Sequence, residues 1–140
     1  MAELIKFDSG VQEFSLNDCV TVSFCPTDLE FIERLFNTLE RLDQQQENYK
    51  SLADSTETNA DLFDLAHKMD AETRGEINDL FGMDVCTPLW GGGNVFALAG
   101  GFPRWANLLF AIVDQLDSEF VKEQKKTNPR LEKYIKKYKR

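Results

Sequence analysis

The stretch of residues 77–116 constrains the fold of this chain more than any other, because its glycines mark where helices end and begin. A helical pattern ends at Leu80-Phe81-Gly82, where glycine can adopt the left-handed conformation that closes a helix. Glycines recur at residues 91–93 and 100–101, and a dense apolar stretch follows them. The stretch holds no nucleophile, base or ligand cluster that would mark an active site, so it predicts packing or binding.

The run Gly91-Gly92-Gly93-Asn94 has only a superficial likeness to a phosphate-binding loop. A P-loop ends in Gly-Lys-Ser/Thr, and a dinucleotide fingerprint has a strand before it and a spaced third glycine. Neither pattern is present, and the next basic residue is Arg104. The run therefore predicts a tight connection between helices, in which glycine supplies positive φ angles.

Three short stretches within residues 3–24 have the alternation of β-strands. Leu4-Ile5-Lys6-Phe7 precedes the turn signal Asp8-Ser9-Gly10, and residues 11–16 alternate roughly until Asn17-Asp18. Residues 20–24 alternate cleanly and are β-branched at three positions. These stretches predict a small antiparallel meander. Such a sheet is only marginally stable alone, so helices must cover its apolar face.

Helical spacing of apolar residues predicts helices over residues 28–46, 60–81 and 103–121. Thr27 and Glu30 predict a capping box at the start of the first helix. The polar residues after position 46 include no Gly or Pro, so this helix could also continue. Asn128-Pro129 has the pattern that opens a further helix.

The predicted fold class is α+β, with a small N-terminal antiparallel β-meander packed on a mainly α-helical body. Residues 1–121 are predicted as a single domain, and residues 122–140 as a basic C-terminal helix or tail. The helix from residue 103 is apolar over more than half of its circumference, which is typical of a central core helix or of an oligomer interface. Both alternatives are open. Its main stripe consists of Trp105, Leu109, Ile112, Leu116 and Phe120.

The cysteines and the single histidine give no sign of reaction chemistry. Cys19, Cys25 and Cys86 lack Cys-x-x-Cys or Cys/His spacing, and we expect three core thiols in a reducing compartment. His67 lies in a polar helical stretch and is expected at the surface or its boundary. With no base beside a nucleophile, the sequence predicts no enzymatic activity, no metal site and no cofactor.

Charge divides the chain into an acidic body and a basic tail. Residues 121–140 carry nine Lys and Arg against two Glu, a net charge of +7. Because the whole chain carries −8, residues 1–120 carry −15. The tail is suited to an acidic partner, to nucleic acid or to the acidic body of a neighbouring copy, whereas the plain alternative is a solvated helix that only maintains solubility.

Nothing in the sequence predicts a membrane segment or a secretory signal. The longest apolar run, residues 108–113, is far shorter than the roughly 20 residues that span a bilayer. The N-terminus lacks a basic region followed by a long apolar region. We therefore expect a cytoplasmic protein.

Ile77-Asn78-Asp79-Leu80-Phe81-Gly82 is followed by a short link containing Cys86, then Leu89-Trp90-Gly91, an apolar helix and a basic tail. The order of these features after the small N-terminal meander resembles the tail assembly chaperones of long-tailed phages and prophages of Gram-positive bacteria. In that family a similar Ile-Asp-x-Ile-Phe-Gly stretch precedes an aromatic-Gly pair. This chain differs at Asn78, where an acidic residue is common, and in its richer glycine at residues 91–93 and 100–101.

The resemblance implies a non-enzymatic morphogenesis factor in the cytoplasm of a bacterial host. Such chaperones coat the long helical tape-measure protein and keep it soluble until tail-tube subunits polymerise around it. The tape-measure protein is therefore the predicted partner, the tail-tube protein is a possible second partner, and a homo-oligomer is possible. The predicted partner-binding residues are Trp90, Phe102, Trp105, Leu109, Arg130, Lys133, Tyr134, Lys136, Lys137 and Tyr138.

Two other functions are alternatives to this one. The first is a small virion structural or head–tail connector protein. The second is a nucleic-acid-binding module that uses the basic tail, although the charge of the body would repel a phosphate backbone and makes nucleic acid the less favoured partner.

Overall fold

The structure, a computed structural model, describes residues 1–125 and confirms the α+β fold class. A two-stranded antiparallel hairpin packs on a mainly helical body. A second, very short hairpin lies between the third and fourth helices. In chain order the elements are β1 (Gln12–Leu16), β2 (Val20–Phe24), α1 (Leu29–Asp54), α2 (Asn59–Phe81), α3 (Cys86–Trp90), β3 (Leu98–Ala99), β4 (Phe102–Pro103) and α4 (Arg104–Lys125).

The N-terminal sheet has two strands where the sequence predicted three. In β1 and β2, Phe14 lies opposite Val22, and the turn between the strands has positive φ at Asn17 and Asp18, as a type I′ turn requires. Residues 1–11 contain no strand, so the predicted strand at residues 4–7 is wrong. Pairing of a strand depends on a partner edge, and the local pattern of residues 4–7 does not supply one.

The N-cap of helix α1 lies one residue later than the sequence predicted. The N-cap is Asp28, whose carboxylate accepts the backbone N–H of Glu30, so the assignment of Thr27 as N-cap is wrong. The helix continues to Asp54, well beyond the predicted end at residue 46. The polar tract carries it onward because no residue there breaks a helix, and Tyr49 adds a buried side chain.

Helix α2 matches its predicted range closely and ends as predicted at Gly82, which has a φ of +69°. Helix α3 was not predicted, since Thr87-Pro88 has the composition of a turn. Pro88 is tolerated there because it lies in the first turn, where the backbone N–H has no helical acceptor. The link between α2 and α3 is thus only four residues long.

Helix α4 begins directly after Pro103 and continues to Lys125. The predicted boundary between residues 121 and 122 therefore lies inside this helix. The short β3–β4 hairpin before it was not predicted, and its turn uses Gly100 and Gly101, both with positive φ. The helix predicted after Asn128-Pro129 lies outside the described residues.

One apolar core joins the hairpin to the helices. Phe24 of β2 stacks on Phe31 of α1 with ring centroids 4.4 Å apart, and Phe14 of β1 also stacks on Phe24, with a centroid distance of 4.6 Å. Other fully buried side chains come from every larger helix and from the connections between them. The largest include Leu35, Leu42, Ile77, Val85, Val95 and Leu109.

The cysteines do not share one environment. Cys86 is buried as predicted, Cys25 is partly exposed and Cys19 is exposed, so the prediction of three core thiols is wrong for Cys19. Cys19 lies in the turn between β1 and β2, where no core is available to it. His67 is exposed, in agreement with its predicted surface position. Within residues 1–125, no helix is long and apolar enough to cross a membrane.

Candidate functional site

The glycine connection, residues 91–97 between α3 and β3, is hydrogen-bonded to an ion pair on α2. The guanidinium of Arg74 donates to the carbonyl oxygens of Gly91, at 2.9 Å, and Gly93. The same group pairs with Asp70 at 2.9 Å, and the other oxygen of Asp70 accepts the backbone N–H of Val95 at 2.8 Å. Because these glycines present carbonyl oxygens to a cation, the connection is a packed link between helices and does not form an anion cradle.

A second polar cluster sets the short link between α2 and α3. The amide oxygen of Asn78 accepts the backbone N–H groups of Val85 and Cys86, at 2.9 and 3.2 Å. The amide nitrogen of Asn78 donates to Asp84, which also accepts the backbone N–H of Thr87. The hydrogen bond from Thr87 is the main reason that the pKa of Asp84 is lowered.

The buried thiol beside this cluster is inert. Cys86 lies against the carbonyl oxygen of Arg74, with Sγ 3.7 Å from that oxygen. Burial raises the pKa of the Cys86 thiol to about 12, so it stays protonated at neutral pH. Its environment is that of a structural core residue.

The predicted partner-binding residues do not form one surface. Phe102 is exposed and Trp90 is half-buried, whereas Trp105 and Leu109 are buried in the core. The indole N–H of Trp105 donates to the side chain of Gln46 at 3.2 Å and so ties α4 to α1. Trp105 and Leu109 therefore offer no area to a partner, which corrects their assignment to a contact surface. Their helical spacing predicted burial equally well.

The remaining predicted residues belong to the basic tail. They lie outside the described part of the chain, so they stay predictions. These residues are Arg130, Lys133, Tyr134, Lys136, Lys137 and Tyr138.

An exposed aromatic patch consists of Phe102 and Phe110. The two rings meet edge to face, with centroids 5.7 Å apart, and remain 53% and 44% exposed. Phe110 was not predicted, although its position next to Leu109 places it off the buried stripe of α4. Helix α4 therefore faces the core along one side and carries an apolar group on the other. The buried stripe confirms the core alternative for that side of the helix, and the interface alternative stays a prediction.

An apolar groove of about 530 Å³ runs between β1 and α4. Arg104 lines it and is half-buried, and among residues 1–125 no carboxylate lies within ion-pair distance of this guanidinium. Sequence reasoning did not find the groove, because it depends on how the hairpin packs on a helix about 90 residues later. Its walls are formed mainly by Phe14, Leu16, Leu89, Trp90, Leu108 and Ile112.

Glu119 of α4 lies one helical turn after Gln115, the last residue of α4 that lines the groove. This buried carboxylate accepts hydrogen bonds from Gln12 of β1 at 3.1 Å, from Gln115 at 3.0 Å and from Lys122 at 3.2 Å. Hydrogen bonds from Gln12 and Lys122 lower the pKa of Glu119, so it is charged at neutral pH. The contact fixes the start of β1 beside the later turns of α4.

Comparison with protein-family models, with curated proteins and with solved structures finds no match to this chain. Within residues 1–125, no group of three His, Cys, Asp or Glu side chains is placed to hold a metal ion. The aromatic patch and the groove are two apolar features of the described surface, on a molecule with a net charge of −8.

Proposed function

We propose that this protein is a tail assembly chaperone of a phage or prophage, which binds the tape-measure protein and keeps it soluble during tail assembly. The aromatic patch of Phe102 and Phe110 is the observation that carries the proposal. It is an exposed apolar pair on a rigid helix and hairpin, of the kind that accepts the apolar stripe of another helix.

The size of the patch suits weak, repeated binding along a long partner. Two half-exposed rings cover the area of a few side chains, much less than a stable protein interface buries. Many copies that each bind one short stretch would cover a long helical chain without any one of them binding tightly. This is the mode of action that the sequence resemblance implies.

Charge supports the same proposal. Asp114 is exposed and lies one helical turn after Phe110 on α4, so the patch has an acidic border. The net charge of −15 over residues 1–120 keeps coated complexes apart by repulsion. A helix with an apolar stripe and basic flanks is therefore the partner that this surface favours.

Co-expression tests the proposal. The chain is produced together with a tape-measure protein from the same genome, and the soluble fraction of that long protein is measured by quantitative gel analysis. We expect the wild-type chain to raise that fraction several-fold over expression of the long protein alone. An unchanged soluble fraction would contradict the proposed function.

A matched pair of variants assigns the effect to the patch. The double variant Phe102→Ser and Phe110→Ser should lose most of the solubilising effect, because it removes both apolar contacts. Phe36→Ser is the control, since Phe36 is 50% exposed but lies on α1. If the control loses as much as the double variant, the patch is not the contact surface.

A further inference from the structure

The N-terminal segment, residues 3–7, leaves large apolar side chains in water. Leu4, Ile5 and Phe7 are each about 80% exposed, and Val11 is exposed as well. The turn that follows is already formed, because Asp8 accepts the backbone N–H of Gly10 and Ser9 accepts that of Val11. Isolated exposed apolar residues are normal, but a run of them on an extended segment marks a contact with another chain.

The groove between β1 and α4 has the dimensions of one added strand. Its helical wall extends from Arg104 to Gln115, about 16 Å at the rise of an α-helix. A strand of five residues covers about 17 Å. Within the described residues β1 pairs only with β2, so its other edge is open for a further strand on the side of the groove.

We propose that residues 3–7 of a second copy dock as an antiparallel strand along β1 in this groove, so that two copies exchange their N-terminal segments. Each copy then gives one segment and receives one, which is the closed arrangement of a two-fold dimer. The proposal concerns self-association and does not depend on the proposed function.

The direction of the groove fixes which end of the segment lies where. Gln12 contacts Glu119, so the start of β1 lies beside the later turns of α4. Residues 14–17 line the groove together with earlier residues of α4, so β1 and α4 run in opposite directions. Arg104 therefore lies at the end of the groove where β1 finishes, near Leu16.

One register satisfies both charge and apolar pattern. With Lys6 opposite Glu13, an antiparallel strand places Glu3 opposite Leu16, at the end that holds Arg104. The half-buried Arg104 then gains a carboxylate partner, and Lys6 gains Glu13, which is exposed. Two opposite charges three residues apart, Glu3 and Lys6, match a single alignment of the segment.

The same register determines which apolar side chains of the segment face the helices and which face solvent. Ile5 lies opposite Phe14, whose side chain faces the helices, and residues directly opposite in a sheet share a face. Ile5 therefore enters the groove beside Phe14, and Phe7 lies on the same face next to the contact between Gln12 and Glu119, whereas Leu4 and Lys6 point to solvent. Leu4 and Ile5 have equal exposure in the single copy, and the proposal separates their roles.

A second copy is the occupant that the structure favours over the segment of the same copy. In the turn at residues 8–11 the backbone N–H groups of Gly10 and Val11 are satisfied by side chains of the turn itself, and yet residues 3–7 make no strand with β1. In one copy the apolar side chains of residues 3–7 thus remain exposed and the open edge of β1 remains unpaired. Reciprocal exchange between two copies buries the side chains and pairs the edge.

Sedimentation equilibrium from low to high micromolar concentration tests the proposal with the full chain. We expect the wild type to dimerise, and Ile5→Ser to raise the dimer dissociation constant by about tenfold or more, because an apolar contact is lost twice per dimer. Leu4→Ser is the matched control and should change the constant by less than about threefold. A monomeric wild type, or equal effects of the two variants, would overturn the proposal.

A charge-reversal mixture distinguishes exchange between copies from closure within one copy. Glu3→Arg and Arg104→Glu should each weaken the dimer, because each places like charges together at both contacts. A mixture of the two variants should restore dimerisation as a heterodimer. In it, the arginine introduced at position 3 of one chain meets the glutamate introduced at position 104 of the other, and the native pair forms at the second contact. If only the double variant on one chain restores the native behaviour, the segment closes on its own copy and the proposal is wrong.

Discussion

Asn78 shows how one side chain can set a connection between helices. Its amide accepts two backbone N–H groups of the link to α3 and donates to Asp84. An aspartate would keep the acceptor but lose the donor, and would place a second carboxylate beside Asp84. This contact gives a physical reason for asparagine at position 78.

The Asn78→Asp variant should be less stable, and the loss should depend on pH. We expect the melting temperature to fall by about 5 °C at pH 7, because two carboxylates then face each other and a hydrogen bond is lost. Near pH 4 the loss should be smaller, since one carboxyl becomes protonated and can donate to the other. Circular dichroism melts at the two pH values measure the difference.

The stability lost in the variant becomes smaller at low pH, whereas the contribution of Asp84 to the stability of the wild type is itself lost at low pH. Because the pKa of Asp84 is lowered in the folded state, its carboxylate stabilises the fold above its usual pKa of 3.8, and this contribution is lost as pH falls through the lowered value.

Combining Asn78→Asp with Asp84→Asn restores one amide facing one carboxylate. The double variant should recover most of the stability at pH 7, and failure to recover would mean that repulsion is not the cause.

At the scale of elements, the Asp70–Arg74 pair makes the glycine connection depend on α2. The two side chains are only 21% and 17% exposed, and together they satisfy two carbonyl oxygens and one N–H of the connection. Arg74→Ala should lower the free energy of unfolding by about 2–3 kcal/mol, because it leaves Asp70 and the carbonyl oxygens without their partner. Urea unfolding followed by circular dichroism gives the value.

A matched arginine provides the control for this prediction. Arg41 forms an ion pair with Glu76 of α2 at 2.9 Å, but its side chain is 54% exposed. Arg41→Ala should therefore cost less than about 1 kcal/mol, as exposed ion pairs usually do. Similar losses in the two variants would show that the glycine connection is not held by Arg74.

The elements that could be predicted from the sequence are those with strong local signals. The range of α2 and its end at Gly82 follow from apolar spacing and from the freedom of glycine at positive φ. The end of α1 and the start of α3 could not be predicted, because no residue stops the first and Pro88 in the second is typical of a turn. The strand at residues 4–7 failed for another reason, since pairing depends on a partner edge and local pattern alone does not supply one.

For the candidate surfaces, too, the sequence could predict only what has a local signal. Phe102 is exposed, and its assignment to a contact surface stays a prediction. Trp105 and Leu109 lie in the core, because helical spacing does not say which side of an apolar helix meets a partner. Phe110 lies next to Leu109 in sequence and on the other side of α4. The groove depends on the packing of β1 against α4, which brings together distant parts of the chain and has no local signature.

At the scale of the whole molecule, the N-terminal hairpin depends on the helices through one column of aromatic rings. Phe14, Phe24 and Phe31 stack in turn, and Phe81 at the end of α2 lies 6.4 Å from both Phe24 and Phe31. A two-stranded hairpin is at best marginally stable in water, so most of its stability comes from this packing. The helices in turn use the hairpin to cover their apolar sides, which predicts that both parts unfold together.

Phe24→Ala tests that coupling because Phe24 is the ring in the centre of the column. Loss of this buried side chain should cost about 3–4 kcal/mol and lower the melting temperature by on the order of 10 °C. The helical signal should still be lost in a single transition, since the cavity opens in the core that α1 and α2 share with the hairpin. Ser23→Ala, on the exposed face of the same strand, should leave the melt nearly unchanged. A helical melt unaffected by Phe24→Ala would instead mean that the hairpin is an independent attachment to a self-sufficient helical body.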